Sequence, residues 1–279
     1  MRFHAPPRER VDPAVFAAPL FDEFRAWQRL WQGPDWPALD ALNAELAPPY
    51  RFVEQTPALL ADGLHYEQRI ATRRAIATRV GNWHDLFNAL IWLRHRPIKQ
   101  AMNARQAADV ARLGPRQRSR AQCALTHFDE AGIVLLLRDP QRMAAWDRHD
   151  WVGLFGGLRL GDFAVAIIGH ALLEHALEPE RLLVGKAIAV HATAPPQALA
   201  EVLDGLAGAI GQGELLCDPQ ELRPLPLMGL PGWHARAGDT QFLREAPCFQ
   251  PKRAGRRYPP PISAAMLSCE ALGEESCRN

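Results

Sequence analysis

NWHDLFNALIWLRH, at residues 82–95, carries the strongest structural signal in the chain. Asn82 is a favourable N-cap residue, and Asp85 stands three positions later, where the positive end of a helix stabilises a carboxylate. Pro97 indicates that the helix ends just before it. The residues between are apolar on all sides, which is typical of a helix buried in a protein core. The pattern therefore predicts a central helix over residues 83–93.

Three polar side chains interrupt this apolar helix. His84 and Asn88 are four residues apart and project from one face, with Asp85 beside them at the helix start. Burying an unpaired polar group costs about 1–3 kcal/mol, so each group needs a partner: a neighbour, a water, a metal ion or a ligand. Helix capping by Asp85, with bonds from the other two to nearby loops, would satisfy them without any function.

The segment GHALLEHAL, residues 169–177, shows the same spacing. His170 and Glu174 are four residues apart on one helical face, so that an imidazole and a carboxylate can share a metal ion or a hydrogen bond. Such pairs are also common on helix surfaces. Together with His84 and Asp85, they would make a two-histidine, two-carboxylate metal site suited to Zn²⁺, Mn²⁺ or Mg²⁺.

Adjacent carboxylates in THFDEAG, Asp129 and Glu130, lie at a predicted strand end. Carboxylates at strand ends can act as acid and base, so these two residues and Asn88 are the predicted catalytic groups. Turn propensity alone would also explain Asp129 and Gly132. The predicted substrate-binding residues are Arg79, Arg94, Lys99 and Asn103.

The remaining segments predict an α+β fold, a helix-rich single domain with short antiparallel hairpins. Apolar periodicity predicts two N-terminal helices within residues 15–46 and a strand at 186–192. Further helices are expected at 98–113, 141–149, 163–177 and 196–210. Two hairpins are expected, one with strands at 66–72 and 75–79, the other with a turn at 129–132.

The domain division follows from composition. A single globular domain is expected over residues 1–258, with the core at 60–222 and an extended proline-rich C-terminal arm at 224–258. Residues 259–279 are expected to form a loosely ordered tail. Oligomeric state is not indicated by any pattern.

Bulk properties narrow the class of protein. Apolar runs such as 133–137 are far shorter than the roughly 20 residues that cross a bilayer, so no membrane span is expected. The start, MRFHAPPRERVDP, has no following apolar stretch, so we expect a cytoplasmic protein without a secretory signal. The five cysteines show no CxxC spacing and predict neither a disulfide framework nor a cysteine zinc site. Nucleotide-binding glycine motifs and GxSxG are absent from the sequence.

Charge is distributed unevenly along the chain. The net charge is +1, yet residues 66–120 contain twelve Lys or Arg against three acidic residues. Such a segment can bind nucleic acid or another acidic partner, although arginines on solvated helices are commoner.

The motifs also resemble a known family. YEQRIATRRAIATRVGNWHDLFNALIWLRHRPIKQAMNARQ, THFDEAGIVLL, GHALLEHAL, PLPLMGLPGW and FQPKR are similar to segments of a bacterial family, domain of unknown function 3025. The likeness covers roughly residues 50–255, and its most specific part is NWHDLFNALIWL followed by Pro97, Lys99 and Asn103. The chain departs from it at RHRPIK, where an aromatic residue is expected before the proline. The family has no assigned activity, so the resemblance implies no reaction.

Two hypotheses follow from the sequence. The first is a metal-dependent hydrolase, with a phosphoester as a candidate substrate, in which a divalent ion activates water and basic side chains offset the phosphate charge. The alternative is a non-catalytic binding module that uses the basic segment 94–120 for nucleic acid or another acidic partner. A phosphate-bearing ligand, as a small molecule or as nucleic acid, is compatible with both hypotheses.

Overall fold

A five-stranded sheet forms the centre of the molecule in the computed structural model, which describes residues 3–192 and 199–267. Strand β3 (Gly132–Leu137) is buried along its whole length, as expected for a strand with neighbours on both sides. It pairs antiparallel with β4 (Phe163–Ile167) and parallel with β5 (Val184–His191). The outer partners of β5 are β6 (Arg223–Pro226), which is antiparallel, and β7 (Ile262–Ser263), which is parallel.

A second, smaller sheet consists of β1 (Arg51–Glu54) and β2 (Ala75–Thr78), paired in parallel. The α-helices, in chain order, are α1 (Leu39–Asn43), α2 (Pro57–Leu60), α3 (Tyr66–Arg73), α4 (Trp83–Arg94), α5 (Arg96–Leu113), α6 (Arg120–Ala131), α7 (Pro140–Arg148), α8 (Trp151–Phe155), α9 (His170–His175), α10 (Leu199–Gln212) and α11 (Thr240–Glu245). The 3₁₀ helices are Arg8–Arg10, Pro13–Ala17, Pro19–Leu30, Pro219–Glu221 and Leu227–Gly229. The fold is therefore α+β and helix-rich, as the sequence predicts.

The central helix α4 confirms the prediction for residues 83–93. The Asn82 side chain accepts a hydrogen bond from the Asp85 backbone N–H (3.1 Å), which caps the first turn. Pro97 lies in the first turn of the next helix, α5, where a missing N–H costs nothing. The two helices therefore follow each other directly, and the prediction of a second helix at 98–113 is also confirmed.

The first predicted hairpin is wrong. Residues 66–73 form helix α3, which buries Arg69 and Ile70 and ends at Arg74 in the left-handed conformation (φ 54°). Strand β2 then pairs with β1 in parallel instead of turning back on its predecessor. A short run with few apolar residues fits either a helix or a strand, and here packing of α3 against α5 decides for the helix.

The second predicted hairpin is also wrong. Residues 120–131 form helix α6, which begins with a capping box in which the Ser119 and Gln122 side chains each bond to the other's backbone. Strand β3 starts directly after this helix at Gly132, and its antiparallel partner β4 follows only at Phe163. Asp129 and Glu130 thus lie at the C-terminal end of a helix and not in a turn.

Other predictions had mixed outcomes. The helix at 141–149 and the strand at 186–192 are confirmed as α7 and β5. The helix predicted at 163–177 is wrong in its first half, where β4 precedes the short helix α9. The helix predicted at 196–210 corresponds to α10, although residues 196–198 lie outside the described residues. The N-terminal segment contains 3₁₀ helices and the short α1.

One cluster of buried apolar side chains includes residues from Val15 to Leu267, as expected for a single domain. Within the segment 224–258, where an extended arm is predicted, the chain forms the end of β6, a 3₁₀ turn and helix α11. The arm and the exact domain limits stay predictions. Of the predicted tail, residues 268–279 lie outside the described residues, while Ile262–Ser263 form β7. Within the described ranges, none of the helices has the length and apolar character that a membrane crossing requires.

Candidate functional site

The sheet places the end of α6 beside the start of α9. Strand β3 follows α6 at Gly132, and β4 leads to α9 through Ile168 and Gly169. Because β3 and β4 are antiparallel, the start of one and the end of the other lie at the same edge, with Ile133 opposite Ile167. The acidic pair of α6 and the first histidine of α9 therefore meet at this edge.

Gly169 permits the close approach at this junction. Its backbone N–H and that of Ile168 both donate to the Gly132 carbonyl oxygen at 2.9 Å. A Cβ atom at position 169 would lie 2.4 Å from the Ala131 Cα and from the Gly132 nitrogen, a distance that no side chain tolerates. Glycine at this position thus fixes His170 next to the end of α6.

Helix α4 adds the second histidine. His84 Nδ1 lies 2.8 Å from Glu174 Oε2, and its Nε2 lies 2.9 Å from His170 Nε2. The two imidazole rings meet edge to face with centroids 4.3 Å apart. The structure therefore brings together three of the four predicted metal ligands: His84, His170 and Glu174. The four-residue spacing of His170 and Glu174 on α9 places both side chains against His84.

A compact group of possible metal ligands results. Within the described part of the chain, one ligand atom each from His84, Glu130 and His170 lie within 4.8 Å of one another. Glu130 Oε2 is 3.7 Å from His170 Nε2. Two zinc-bound imidazole nitrogens lie about 3.3 Å apart when Zn–N is about 2.0–2.1 Å, so the facing nitrogens need to separate by only a few tenths of an ångström. Two histidines and one carboxylate suit Zn²⁺ or Fe²⁺.

The two histidines differ in environment. Burial lowers the pKa of His84, but the hydrogen bond that His84 donates to Glu174 and the charges of the neighbouring carboxylates outweigh it, so this pKa lies above its usual value. His170 is almost completely buried, and burial lowers its pKa to about 3. His170 is thus a neutral imidazole near pH 7, which is the form that binds metal ions.

The two carboxylates of α6 differ as well. Burial is the main cause that raises the pKa of Glu130, whose side chain remains 45% exposed. For Asp129, burial acts in the same direction, but the charge of Lys99 and the proximity of His170 outweigh it and lower the pKa. Asp129 is therefore an ionised, fixed group, and Glu130 is the more accessible carboxylate.

Behind the histidines, a chain of partly buried hydrogen bonds connects α3, α4, α5 and α6. The Lys99 ammonium donates to Asp129 Oδ1 and to Asn88 Oδ1 (2.9 Å). Asn88 Nδ2 in turn donates to the Tyr66 hydroxyl (3.0 Å). Asn88 and Lys99, predicted as catalytic and substrate-binding residues, therefore lie behind the histidines as members of this internal network.

A cavity of about 1050 Å³ opens in front of the histidines. Its lining includes His84, Glu130, Glu174 and Arg79. The N-terminal residues 3–7 form part of its wall, where the Trp83 indole N–H donates to the Pro6 carbonyl oxygen (3.2 Å). A volume of this size holds an organic substrate in addition to an ion.

Asp85 faces a different partner from the one predicted. Both of its carboxylate oxygens accept hydrogen bonds from Arg79, at 2.6 Å from the backbone N–H, 3.0 Å from Nε and 2.6 Å from the terminal nitrogen. Asp85 is not in the group of ligand atoms that includes the two histidines, within the residues that the structure describes. Arg79 lines the cavity, and its role in substrate binding stays a prediction.

The other two predicted substrate-binding residues lie elsewhere. Arg94 is ten residues from His84 along α4, about 15 Å away, and lies 3.7 Å from Glu23. Asn103 is buried and donates to the backbone oxygen (2.9 Å) and to the carboxylate (2.6 Å) of Glu67. Neither residue lines the large cavity.

Sequence reasoning missed Tyr66 and Glu67. Burial raises the pKa of Glu67 to about 7 and that of Tyr66 well above its usual value. The sequence predicts a strand at 66–72, whereas the structure has helix α3 there, which directs Tyr66 toward α4 and Glu67 toward α5. A helical interpretation of residues 66–73, which places Tyr66, Glu67 and Ile70 on adjoining positions of one face, would have found them.

Much of the basic segment 94–120 makes internal contacts. Six of its eight basic residues have a carbonyl, carboxylate or amide partner: Arg94, Arg96, Lys99, Arg105, Arg112 and Arg120. Arg105, for example, donates to backbone carbonyls at the end of α10 and in the loop that follows it. Few of these charges are therefore free to form a continuous basic surface.

Comparison with known proteins gives a family and no function. No curated protein and no solved structure matches the chain. The family described as "Protein of unknown function (DUF3025)" matches residues 50–253, which include every ligand candidate of the site. This match covers well over half of the chain and agrees with the resemblance in the motifs around α4, α6 and α9. The chain belongs to the DUF3025 family.

Proposed function

We propose that this protein is a metal-dependent hydrolase in which His84, His170 and Glu130 hold a divalent ion. The supporting observation is the pair of facing imidazole Nε2 atoms, 2.9 Å apart, with a carboxylate beside them at a large cavity. Catalytic zinc sites with two histidines and one glutamate leave a fourth position for water. A divalent ion held there would lower the pKa of a bound water toward neutrality, and such a water can act as the nucleophile.

Glu174 and Asp85 have supporting roles in this proposal. Glu174 accepts a hydrogen bond from the Nδ1–H of His84, which leaves Nε2 free for the ion, as carboxylates behind metal-bound histidines commonly do. Asp85 holds Arg79 at the cavity, since both of its oxygens are used by that arginine. The proposed ligand set thus keeps two of the four residues predicted from sequence and adds Glu130.

The first substrate class to test is a phosphoester. Arg79 lies at the cavity with its position fixed by Asp85, and Arg181 also contributes to the lining. A guanidinium near the reacting group stabilises the negative charge that develops on phosphoryl oxygens. We place this function before nucleic-acid binding because six of the eight basic residues of segment 94–120 already have internal partners.

The test is metal content, measured by elemental analysis after dialysis of the protein with Zn²⁺ or Mn²⁺, together with the shift in melting temperature. His84→Ala removes a proposed ligand. His175→Ala is the control, because His175 lies on α9 and lines the same cavity but is not among the proposed ligands. We expect nearly one ion per chain and a raised melting temperature in wild type and His175→Ala, and neither in His84→Ala. Absence of metal from wild type, or full retention in His84→Ala, would refute the site.

A further inference from the structure

We infer, on the basis of the proposed metal site, that Asp129 is a positioning residue that orients His170 for metal binding and is itself held by Lys99. This role does not require Asp129 or Asn88 to act in catalysis, or Lys99 to bind substrate. It depends on the hydrogen-bonding capacity of one buried atom, His170 Nδ1.

His170 has a proton that lacks an acceptor. When the Nε2 atoms of His84 and His170 both face a metal ion, the remaining proton of each neutral imidazole is on Nδ1. For His84, the acceptor is Glu174 at 2.8 Å. His170 Nδ1 is buried and makes no hydrogen bond within the described residues. A buried N–H without an acceptor is costly, so metal binding requires a partner at this position.

Asp129 provides that partner. Its Oδ2 atom lies 4.0 Å from His170 Nδ1, so a movement of about 1 Å brings the pair into hydrogen-bond range. The other oxygen, Oδ1, already accepts from the Lys99 ammonium, which leaves Oδ2 available. The Asp129 backbone carbonyl also lies beside His170, but Nδ1 makes no hydrogen bond to it. The side-chain contribution can therefore be separated from that of the backbone by mutation.

Lys99 determines where the carboxylate points. The Lys99 side chain is 5% exposed, and its ammonium donates hydrogen bonds to Asp129 on α6 and to Asn88 on α4. The adjacent start of α9 is fixed by the bonds of Ile168 and Gly169 to Gly132. Four helices thus converge on the imidazole that is least accessible from the cavity. Each histidine then donates its Nδ1 proton in a hydrogen bond to its own carboxylate, His84 to Glu174 and His170 to Asp129.

The test compares Zn²⁺ affinities, measured by competition with a chromogenic chelator, in wild type, Asp129→Ala, Asp129→Asn and Asp147→Ala. Asp147 is the matched control because it also bonds to a buried cation, Arg223, through one oxygen (2.7 Å), but has no histidine partner. We expect Asp129→Ala to weaken binding 10- to 100-fold, the usual effect of losing a carboxylate behind a ligand. Asp129→Asn retains an acceptor oxygen and should lose less, and Asp147→Ala should bind as wild type does.

A second measurement covers the case in which Asp129→Ala does not fold. In the Zn²⁺ complex of wild type, ¹⁵N-edited NMR should show a slowly exchanging Nδ1 proton on His170, and Asp129→Asn should shift that resonance. Zn²⁺ affinity within twofold of wild type in Asp129→Ala, or an unchanged Nδ1 resonance in Asp129→Asn, would overturn the inference while leaving the metal site intact. Failure of wild type to bind Zn²⁺ would instead refute the proposed function and this inference together.

Discussion

The two sides of the histidine pair differ in exposure and in bonding. On the cavity side, the polar groups are partly open to solvent, with side-chain exposures of 30% for His84 and 45% for Glu130. On the inner side, behind His170, the side chains of Lys99 and His170 are about 5% exposed, and Lys99 bonds to Asn88 and Asp129. We call the first group, which includes His84 and Glu130, the cavity side. The second group is the inner side, which consists of His170, Asp129, Lys99, Asn88, Tyr66, Glu67 and Asn103.

Because of this difference, we expect substitutions on the two sides to affect different properties: metal binding on the cavity side and the free energy of unfolding on the inner side. An exposed charge interacts weakly with its neighbours because water screens it, whereas a buried charge that loses its partner destabilises the fold. Changes on the cavity side should therefore alter metal binding at small cost in stability. Changes on the inner side should lower the free energy of unfolding even when no metal is present.

The largest effect is expected for Lys99→Met. Removal of this buried ammonium leaves the Asp129 carboxylate without its cation, and we expect the free energy of unfolding to fall by about 3–5 kcal/mol. Arg94→Met is the matched control, since Arg94 faces Glu23 with a side chain that is 44% exposed and should cost at most about 1 kcal/mol. Urea denaturation of both variants measures the difference. Equal losses would mean that the inner side is no more constrained than the surface.

The pH dependence of stability is the next expected effect. Burial raises the pKa of Glu67 to about 7, so the folded state retains a proton that the unfolded chain releases near pH 4.5. The stabilisation is fully present below the unfolded pKa and is lost as pH rises through about 7. Between pH 5 and 8, wild type should lose about 2–3 kcal/mol more stability than Glu67→Gln. Glu201→Gln, on the exposed surface of α10, should follow wild type, and parallel curves for all three proteins would contradict the buried assignment of Glu67.

A third effect concerns the junction that joins the two sides. Gly169→Ala places a Cβ against the backbone of Ala131 and Gly132, and we expect a loss of about 2 kcal/mol, with weakened metal binding because His170 moves. The control is Gly208→Ala in α10, where the added Cβ has no atom within 4 Å outside its own helix among the described residues. That substitution should raise helix stability by about 0.5–1 kcal/mol. Thermal unfolding distinguishes the two, and a tolerated Gly169→Ala would show that the junction is not close-packed.

The smallest effect is expected for Asp85→Asn, at the residue that holds Arg79 beside the cavity. Asp85 is buried but Arg79 is half exposed, and asparagine retains an acceptor oxygen, so the change should cost about 1 kcal/mol, and bound metal should be retained. Elemental analysis and denaturation of the same sample measure both. Loss of the ion with unchanged stability would restore Asp85 as a ligand and would move the metal site toward Arg79.

The sequence was informative where local signals were strong. Helix α4 could be predicted from its cap and its apolar composition. The four-residue spacing of His170 and Glu174 predicts a shared metal ion or hydrogen bond, and in the structure both side chains contact His84. The same reasoning failed at α3 and α6, because short apolar runs fit either helix or strand when tertiary packing is unknown. At α6, the capping box of Ser119 and Gln122 was a local signal that would have indicated a helix.

The site could be predicted only in part because its contacts join distant segments. His84 and His170 are 86 residues apart, and no local pattern specifies that their Nε2 atoms face each other. The pairing of Asp85 with Arg79 likewise joins the end of β2 to the start of α4. The strand at 75–79 was predicted to within one residue, but its parallel pairing with β1 was not. Residue types were thus identified from the sequence, whereas the assignment of ligands and supporting groups required the antiparallel register of β3 and β4.

The most direct test of the metal site is an X-ray anomalous difference map from crystals grown with Zn²⁺, collected above and below the zinc edge. We predict one strong peak about 2.0–2.2 Å from His84 Nε2, His170 Nε2 and a Glu130 oxygen, with Glu174 bonded to His84 Nδ1. A fully ordered site without a peak, or zinc bound only by residues away from these three, would contradict the account.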